Sequence, residues 1–334
     1  MKAALHDTFG DPTKVLYAAG TDTPEPKEGQ VRVKVLLSPI HNHDLWTVRG
    51  TYGYKPPLPG AIGGSEAAGI VDAVGAGVDD GLKGQRVAVA GVHGTWAEYV
   101  LAPANGLLPL PEKISDEEGA QLIAMPLSAI SLLDSLKAHR GDWIIQTAAN
   151  GAVGRIMAVL ARERGIHLVN LVRRDEAVQD LREAGTEHVF STSDGDWKDQ
   201  VRKTVNDGKV VSAIDSVGGD IAAHLVDLLS SDGEIFVFGT ATGEPMPLAS
   251  GPLIMKQITV KGFWGARVIS EMDRERRESL MSDLVALAMQ GRLPLATSGT
   301  YPLDRIADAV NASLTPGRGG KVMLKPWASD DPGA

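Results

Sequence analysis

The chain has 334 residues, a formal net charge of −9 and no cysteine. At roughly 100–200 residues per domain, this length implies two domains. The acidic balance argues against a broad electrostatic grip on nucleic acid, and the missing cysteines exclude disulfides, thiolate metal ligands and thiol nucleophiles. No run of about 18 apolar residues is present and the N-terminus lacks the apolar core of a signal peptide, so neither a membrane-spanning helix nor secretion is expected. A cytoplasmic location is the expectation.

The first hundred residues read as β-rich. VRVKVL at 31–36 alternates apolar and charged residues, as a half-buried strand does. Further strands are expected over 68–75, 85–90 and 97–101, with Gly and Pro in every gap. Short strands at this spacing predict a compact, barrel-like β domain. Ser115 followed by Asp116, Glu117 and Glu118 resembles a capping box, and helical periodicity continues through Leu136. From Trp143 strands and helices alternate. The strand candidates are 143–146, 167–172, 188–190, 210–214, 234–238 and 258–260. Six strands in this rhythm predict a doubly wound parallel sheet. A charged helix over 271–290, short elements and a last strand over 320–324 follow. The polar tail 327–334 is expected to fray. The α/β block is thus inserted between an N-terminal β domain and a C-terminal return segment.

The strand at 143–146 leads into Ala149, Asn150, Gly151, Ala152, Val153 and Gly154, an A-x-G-x-x-G turn. A helix follows with Val153, Ile156, Met157 and Leu160 on one face, and Gly165 ends it. This strand–turn–helix context is what a dinucleotide fingerprint requires. Gly151 lets the backbone approach a pyrophosphate, Gly154 lets the helix pack on the strand, and the helix N-terminus offers free N–H groups. Arg173 and Arg174 end the second strand, where NAD-preferring sites place a carboxylate for the ribose 2′-hydroxyl. A guanidinium suits a 2′-phosphate, so the expected cofactor is NADPH. The alternative is that both arginines are surface charges paired with Asp175 and Glu176.

On these features the sequence resembles the medium-chain dehydrogenase/reductase superfamily across nearly its whole length. Besides the turn, the resemblance rests on PGAIGGSEAAGIV at 59–71, on DSVGG at 215–219 and on GKVML at 320–324. It implies an α/β protein with a GroES-like catalytic domain (residues 1–122 and 265–334) and a Rossmann domain with a doubly wound parallel six-stranded sheet (123–264). An active site in the cleft between them is implied too. Zinc-dependent members carry ligands at positions that match His41, Ser65 and Met125. Serine and methionine are not zinc donors there, and the four-cysteine structural lobe is missing, so a zinc-independent member is implied. His41, His43 and Asp44 also invite a metal reading. Without a third well-spaced ligand they read as hydrogen-bonded cleft or turn residues. Zinc-free relatives usually carry Asn where this chain has His41, and Asn42 is the adjacent candidate.

Two zinc-free branches look similar, NADPH:quinone reductases and 2-enoyl thioester reductases. The stretch RGTYG at 49–53 resembles one that carries a tyrosine near the nicotinamide, and the resemblance implies Tyr52 as the acid. The expected reaction is hydride transfer to a small-molecule conjugated carbonyl, with Tyr52 donating to the oxygen where charge develops. Alternatively Tyr52 is a loop aromatic lining the pocket. Ser128 near a helix start and Thr240 after the fifth strand are further candidate cofactor contacts. Phe263 and Trp264 are candidate pocket walls or core aromatics, and Lys321 is a candidate phosphate contact or a surface lysine. The resemblance also implies a homodimer through the sheet edge at 258–260. A different class stays open: an NADPH-binding structural or regulatory protein without turnover.

Overall fold

The computed structural model describes residues 1–327, which divide into two compact units. One comprises residues 1–125, 284–291 and the described residues from 295 onward, the other 126–283 and 292–294. The polar tail at 327–334, expected to fray, lies outside the described residues apart from Trp327.

The first unit is built on the strand Gln30–Pro39, whose apolar alternation buries Val31, Val33 and Val35. Glu66–Val74 pairs with it antiparallel along one edge. Along the other edge its N-terminal half pairs with Tyr99–Pro103 and its C-terminal end with Lys321–Leu324. Arg86–Ala90 extends the sheet beyond Glu66–Val74. A small second sheet joins Tyr17–Gly20, Lys2–His6 and Ala61–Ile62. Valines and alanines from the strands, among them Val71, Val87, Val89 and Val100, form one core. Leu45, Val48, Trp96, Ile306 and Val322 form a second one around the helix α1, Asn42–Arg49. Gly50 ends α1 at φ 74, a left-handed cap that glycine adopts without a Cβ clash.

The second unit is a parallel sheet of β1 (Trp143–Gln146), β2 (His167–Val172), β3 (Val189–Ser191), β4 (Val210–Asp215), β5 (Glu234–Val237) and β6 (Thr259–Gly262). Their order across the sheet is 3-2-1-4-5-6. Strands buried on both faces need continuous apolar runs, and β1, β2 and β4 supply Ile145, Val169, Leu171 and Ala213 to the core. The order reverses beside β1, so ligands are expected outside the carboxyl ends of β1 and β4.

One helical expectation differs from the structure. The periodicity over 115–136 is two helices, Asp116–Gly119 and Ala124–Ser135. The capping box is real: Ser115 N–H donates to Glu118 Oε2 and Glu118 N–H to Ser115 Oγ. That helix lasts one turn, and its last residue, Gly119, packs against Leu110 where a Cβ would stand 2.5 Å from that side chain. The charged C-terminal helix expected over 271–290 is Arg274–Met289, and a further short helix, Gly265–Glu271, precedes it. Strand ends shift by a residue or two. The third strand begins at Val189, after His188 at φ 49.

Candidate active site

β1 runs into a turn that only small residues can make. Ala148 sits at φ 50, a left-handed conformation that a residue with a Cβ enters at a cost of about 1–2 kcal/mol. Gly151 then caps the helix α2, Ala152–Arg164, and no side chain caps its first N–H groups. A Cβ on Gly154 would stand 2.7 Å from Ala149 Cα and O, so helix and turn meet backbone to backbone. Gln146 braces the turn: its amide donates to Gly154 O at 2.8 Å and to Asn170 Oδ1 of β2 at 2.7 Å, all buried. The Asn150 carbonyl accepts from Arg155 Nε. Uncapped N–H groups at a helix N-terminus, approached closely by backbone, suit the phosphates of a dinucleotide.

Arg173 and Arg174 follow β2 directly, one exposed and the other half-buried. Neither pairs with Asp175 or Glu176, which corrects the alternative of a local ion pair. Asp175 instead accepts from Ser193 Oγ. After β4, buried Asp215 closes the next turn, accepting from Thr147 Oγ1 at 3.0 Å and from Val217 N–H at 2.9 Å. Gly218 and Gly219 follow at positive φ. Thr240 is exposed close to that turn, its Oγ1 3.8 Å from where a Gly218 Cβ would stand. Ser128 is buried on Ala124–Ser135, its Oγ 3.0 Å from the corresponding position at Gly265. Phe263 packs on Phe236 and Phe238, so it belongs to the core rather than to an open wall. Trp264 is half exposed.

In the first unit the sequence between 41 and 66 folds into a polar cluster. His41, fully buried, precedes α1, and its Nε2 lies 2.7 Å from Glu66 Oε2 at the start of Glu66–Val74. Glu66 Oε1 accepts from the backbone N–H groups of Ile123 and Ala124, each at 2.8 Å. Burial pushes the Glu66 carboxyl up to about 7 against the pull of those two donors. Burial, and then the charge of Lys321, push the His41 imidazole well below its ordinary range. His41 Nε2 and Glu66 Oε2 share one hydrogen, held by the imidazole when Glu66 is ionised and by the carboxyl when it is not, and the His41 Nδ1 has no partner among the described residues. Lys321 is not the surface lysine of the alternative reading. It is 7% exposed, and burial followed by Arg318 lowers its ammonium to about 8, with Asp44 and Glu66 pulling the other way.

Asp44 binds the start of its own helix, with Oδ2 accepting from His41 N–H at 3.0 Å. Its Oδ1 accepts from Ser65 Oγ at 2.7 Å, and Ser65 Oγ lies 2.8 Å from His43 Nε2. The His43 ring stacks on His41, centroids 5.1 Å apart, and faces Tyr52 at 5.7 Å. Asn42, by contrast, is exposed on the first turn of α1. These residues do not fit a zinc ion. The His41 Nε2 is committed to Glu66, Ser65 offers a hydroxyl already donating to Asp44, and Met125 offers a thioether. Among the described residues no group of three or more His, Cys, Asp or Glu could hold a metal ion. Glu66 and Ser65 stood inside the GGSEAAG stretch without an assigned hydrogen-bonding role. Only the pairing of Gln30–Pro39 with Glu66–Val74 brings them to α1, so no sequence spacing could have exposed the contact.

Comparison with known proteins accords with this architecture. Residues 27–112 match the family model "Alcohol dehydrogenase GroES-like domain", and residues 152–284 match "Zinc-binding dehydrogenase". The chain is 30% identical over 338 residues to the mitochondrial enoyl-[acyl-carrier-protein] reductase of Xenopus tropicalis, covering 97% of this chain and 95% of that protein. With the human protein of the same description it shares 29% identity, over 97% and 88% of the two chains. The crystal structure of Escherichia coli quinone oxidoreductase complexed with NADPH superposes with a TM-score of 0.85 at 26% identity, covering 98% of this chain and all of that one. With the fold, the glycine turn at the start of α2 and these full-length matches in agreement, the chain belongs to the medium-chain dehydrogenase/reductase superfamily.

Proposed function

We propose that the protein is an NADPH-dependent oxidoreductase that reduces a conjugated carbonyl acceptor, either a 2-enoyl thioester or enone or a quinone, without a metal. The observation that carries the reading is the turn 149–154 with Arg173 and Arg174 beyond the adjacent strand. The uncapped start of α2 offers N–H groups to a pyrophosphate, and two arginines without local carboxylate partners offer cations to a 2′-phosphate. Among the similar proteins, the enoyl reductases act on acyl-carrier-protein substrates by name, and the E. coli quinone oxidoreductase was solved with NADPH.

When bound, NADPH supplies a hydride. The protein's own part is to hold the phosphates at α2, to orient the acceptor and to supply a hydrogen-bond donor where negative charge develops on the carbonyl oxygen. Tyr52 is assigned that role, since a phenol is protonated at neutral pH and can donate or transfer a proton. Thr240 and Ser128 are assigned to the cofactor from the second unit. We also assign a homodimer through β6. That strand is an edge, its four residues are exposed, and Ile254, Met255, Val260 and Trp264 expose apolar surface on or beside it. The assigned compartment is cytoplasmic, in contrast to the mitochondrial designation of the eukaryotic relatives. No described helix is long and apolar enough to cross a membrane.

A panel of NADPH-oxidation assays tests the reading, with crotonyl-CoA, longer enoyl-CoAs, a simple enone and 1,4-benzoquinone compared under identical conditions. Turnover of at least one acceptor is expected, with NADPH preferred over NADH. Tyr52→Phe should lower kcat on that acceptor by about 100-fold. No turnover across the panel sinks the enzyme reading. Equal efficiency with NADH sinks the arginine assignment, and an undiminished Tyr52→Phe enzyme sinks the acid.

A further inference from the structure

His43, Ser65 and Asp44 form a hydrogen-bonded chain beside Tyr52, and its donors can be assigned from the count of protons. The Ser65 hydroxyl has one hydrogen, and at 2.7 Å from Asp44 Oδ1 it donates that hydrogen to the carboxylate. The Ser65 oxygen, 2.8 Å from His43 Nε2, can then only accept. His43 therefore carries a hydrogen on Nε2. Asp44 Oδ1 also lies 3.5 Å from that same nitrogen, and the Asp44 side chain is 3% exposed. Asp44 cannot swing away, because its other oxygen holds the first turn of α1. The tautomer is thus set by side chains from two separate elements. The His43 ring stacks on His41, has the Tyr52 ring 5.7 Å from it, and is 23% exposed, so solvent reaches it. With Nε2–H bound to Ser65, the hydrogen on Nδ1 of the protonated ring is the one it can release without breaking the chain.

We propose that His43 is the positioning residue that returns a proton to Tyr52, delivered from Nδ1, with Ser65 and Asp44 locking the ring for that task. The inference rests on the reading of Tyr52 as the acid. Once the Tyr52 O–H bond has broken and its proton has gone to the reduced acceptor, a phenolate remains. The His43 Nδ1–H bond then breaks, its electron pair stays on Nδ1, and a new O–H bond forms on Tyr52. Neutral His43 regains a proton from water at Nδ1, so no electrons leave the pair of rings. The transfer runs downhill, since a free imidazolium is a stronger acid than a free phenol by roughly 3.5 pKa units. The charged and titratable groups of the cluster are Asp44 and His41 on and before α1, Glu66 at the start of its strand, Lys321 on the C-terminal strand, Tyr52 in the loop after α1, and His93, which feels Asp44. Asp44 is the carboxylate that faces the ring, its Oδ1 3.5 Å from Nε2.

The test replaces His43 by Gln, whose amide can still donate to Ser65 but carries no transferable proton. With the best acceptor of the panel, His43→Gln is expected to lose about 30-fold or more in kcat with KM unchanged. One ionisation should vanish from its kcat–pH profile, and added imidazole should restore part of the rate. A fluorescence titration with NADPH should show cofactor binding like that of the parent protein. Independently of turnover, ¹⁵N NMR of the cofactor-free protein should show His43 as the Nε2–H tautomer, a preference that Ser65→Ala removes. A His43→Gln enzyme within twofold of the parent kcat and with the parent pH profile overturns the proposal, as does an Nδ1–H tautomer in the parent protein. If that variant is fully active while Tyr52→Phe is not, the relay fails and the acid assignment stands. If Tyr52→Phe is fully active, the acid assignment itself fails.

Discussion

At the scale of the residue, the closest electrostatic balance is at Glu66. Two backbone N–H groups and a histidine favour its charged form, and complete burial opposes it; burial prevails and raises the carboxyl to about 7. The sign of the consequence follows from proton binding. Between its ordinary value of 4.5 and about 7, the folded protein holds a proton that the unfolded chain has released. The stability contribution is therefore complete below pH 4.5 and is lost as pH rises to about 7. At its fullest it is on the order of 3 kcal/mol. Lys321 acts in a separate window: with its ammonium lowered from 10.5 to about 8, stability rises between those two values. Glu66→Gln keeps acceptor and donor but cannot titrate. Buried His41 acts in the opposite sense below its ordinary value of 6.5, so the Glu66 contribution is read as a difference: urea unfolding at pH 5, 6 and 7 should show the parent protein losing stability relative to the variant across the series. Parallel curves for the two proteins would refute the account.

At the scale of the element, the junction of β1 with α2 depends on absent side chains. The missing Cβ of Gly154 is what allows the first turn of α2 to rest on Ala149, and the groups it would strike are backbone atoms that cannot rotate away. Gly154→Val should therefore destabilise the protein by about 2 kcal/mol or more. It should also weaken NADPH binding more than tenfold, because displacing the helix moves the N–H groups off the phosphates. Thermal melting and a fluorescence titration with NADPH measure the two effects. A stable variant with unchanged affinity would show that the helix start is not where the phosphates bind. The nearby turn after β4 relies instead on a side chain, Asp215, whose one oxygen gathers Thr147, Val217 and Gly218.

At the scale of the whole molecule, the edge strand β6 sets the expectation for assembly. Exposed unpaired strand edges attract a further strand, and natural proteins leave them apolar mainly where a partner covers them. Ile254 and Met255, at 73% and 84% exposed, are the most exposed large apolar residues described. The double substitution Met255→Glu and Val260→Lys should convert the protein from dimer to monomer in light scattering after size exclusion, with NADPH affinity retained. A parent protein that is monomeric at every concentration measured would refute the dimer.

Periodicity and turn chemistry were enough to locate all six strands of the parallel sheet, the glycine turn between β1 and α2 and the capping box at Ser115, because each depends on residues adjacent in the chain. The alternation of Gln30–Pro39 likewise announced a half-buried strand. The helical break was hidden, since apolar periodicity continued across residues 120–123, where the helix is interrupted. Phe263 read equally as wall or core until Phe236 and Phe238 were seen against it. The polar cluster of the first unit was the least legible. His41 and Glu66 are 25 residues apart, and Lys321 comes from the far end of the chain. Side chains so distant in sequence meet only because strand pairing fixes their register. Burial, which sets their charge states, exists only once that sheet has closed.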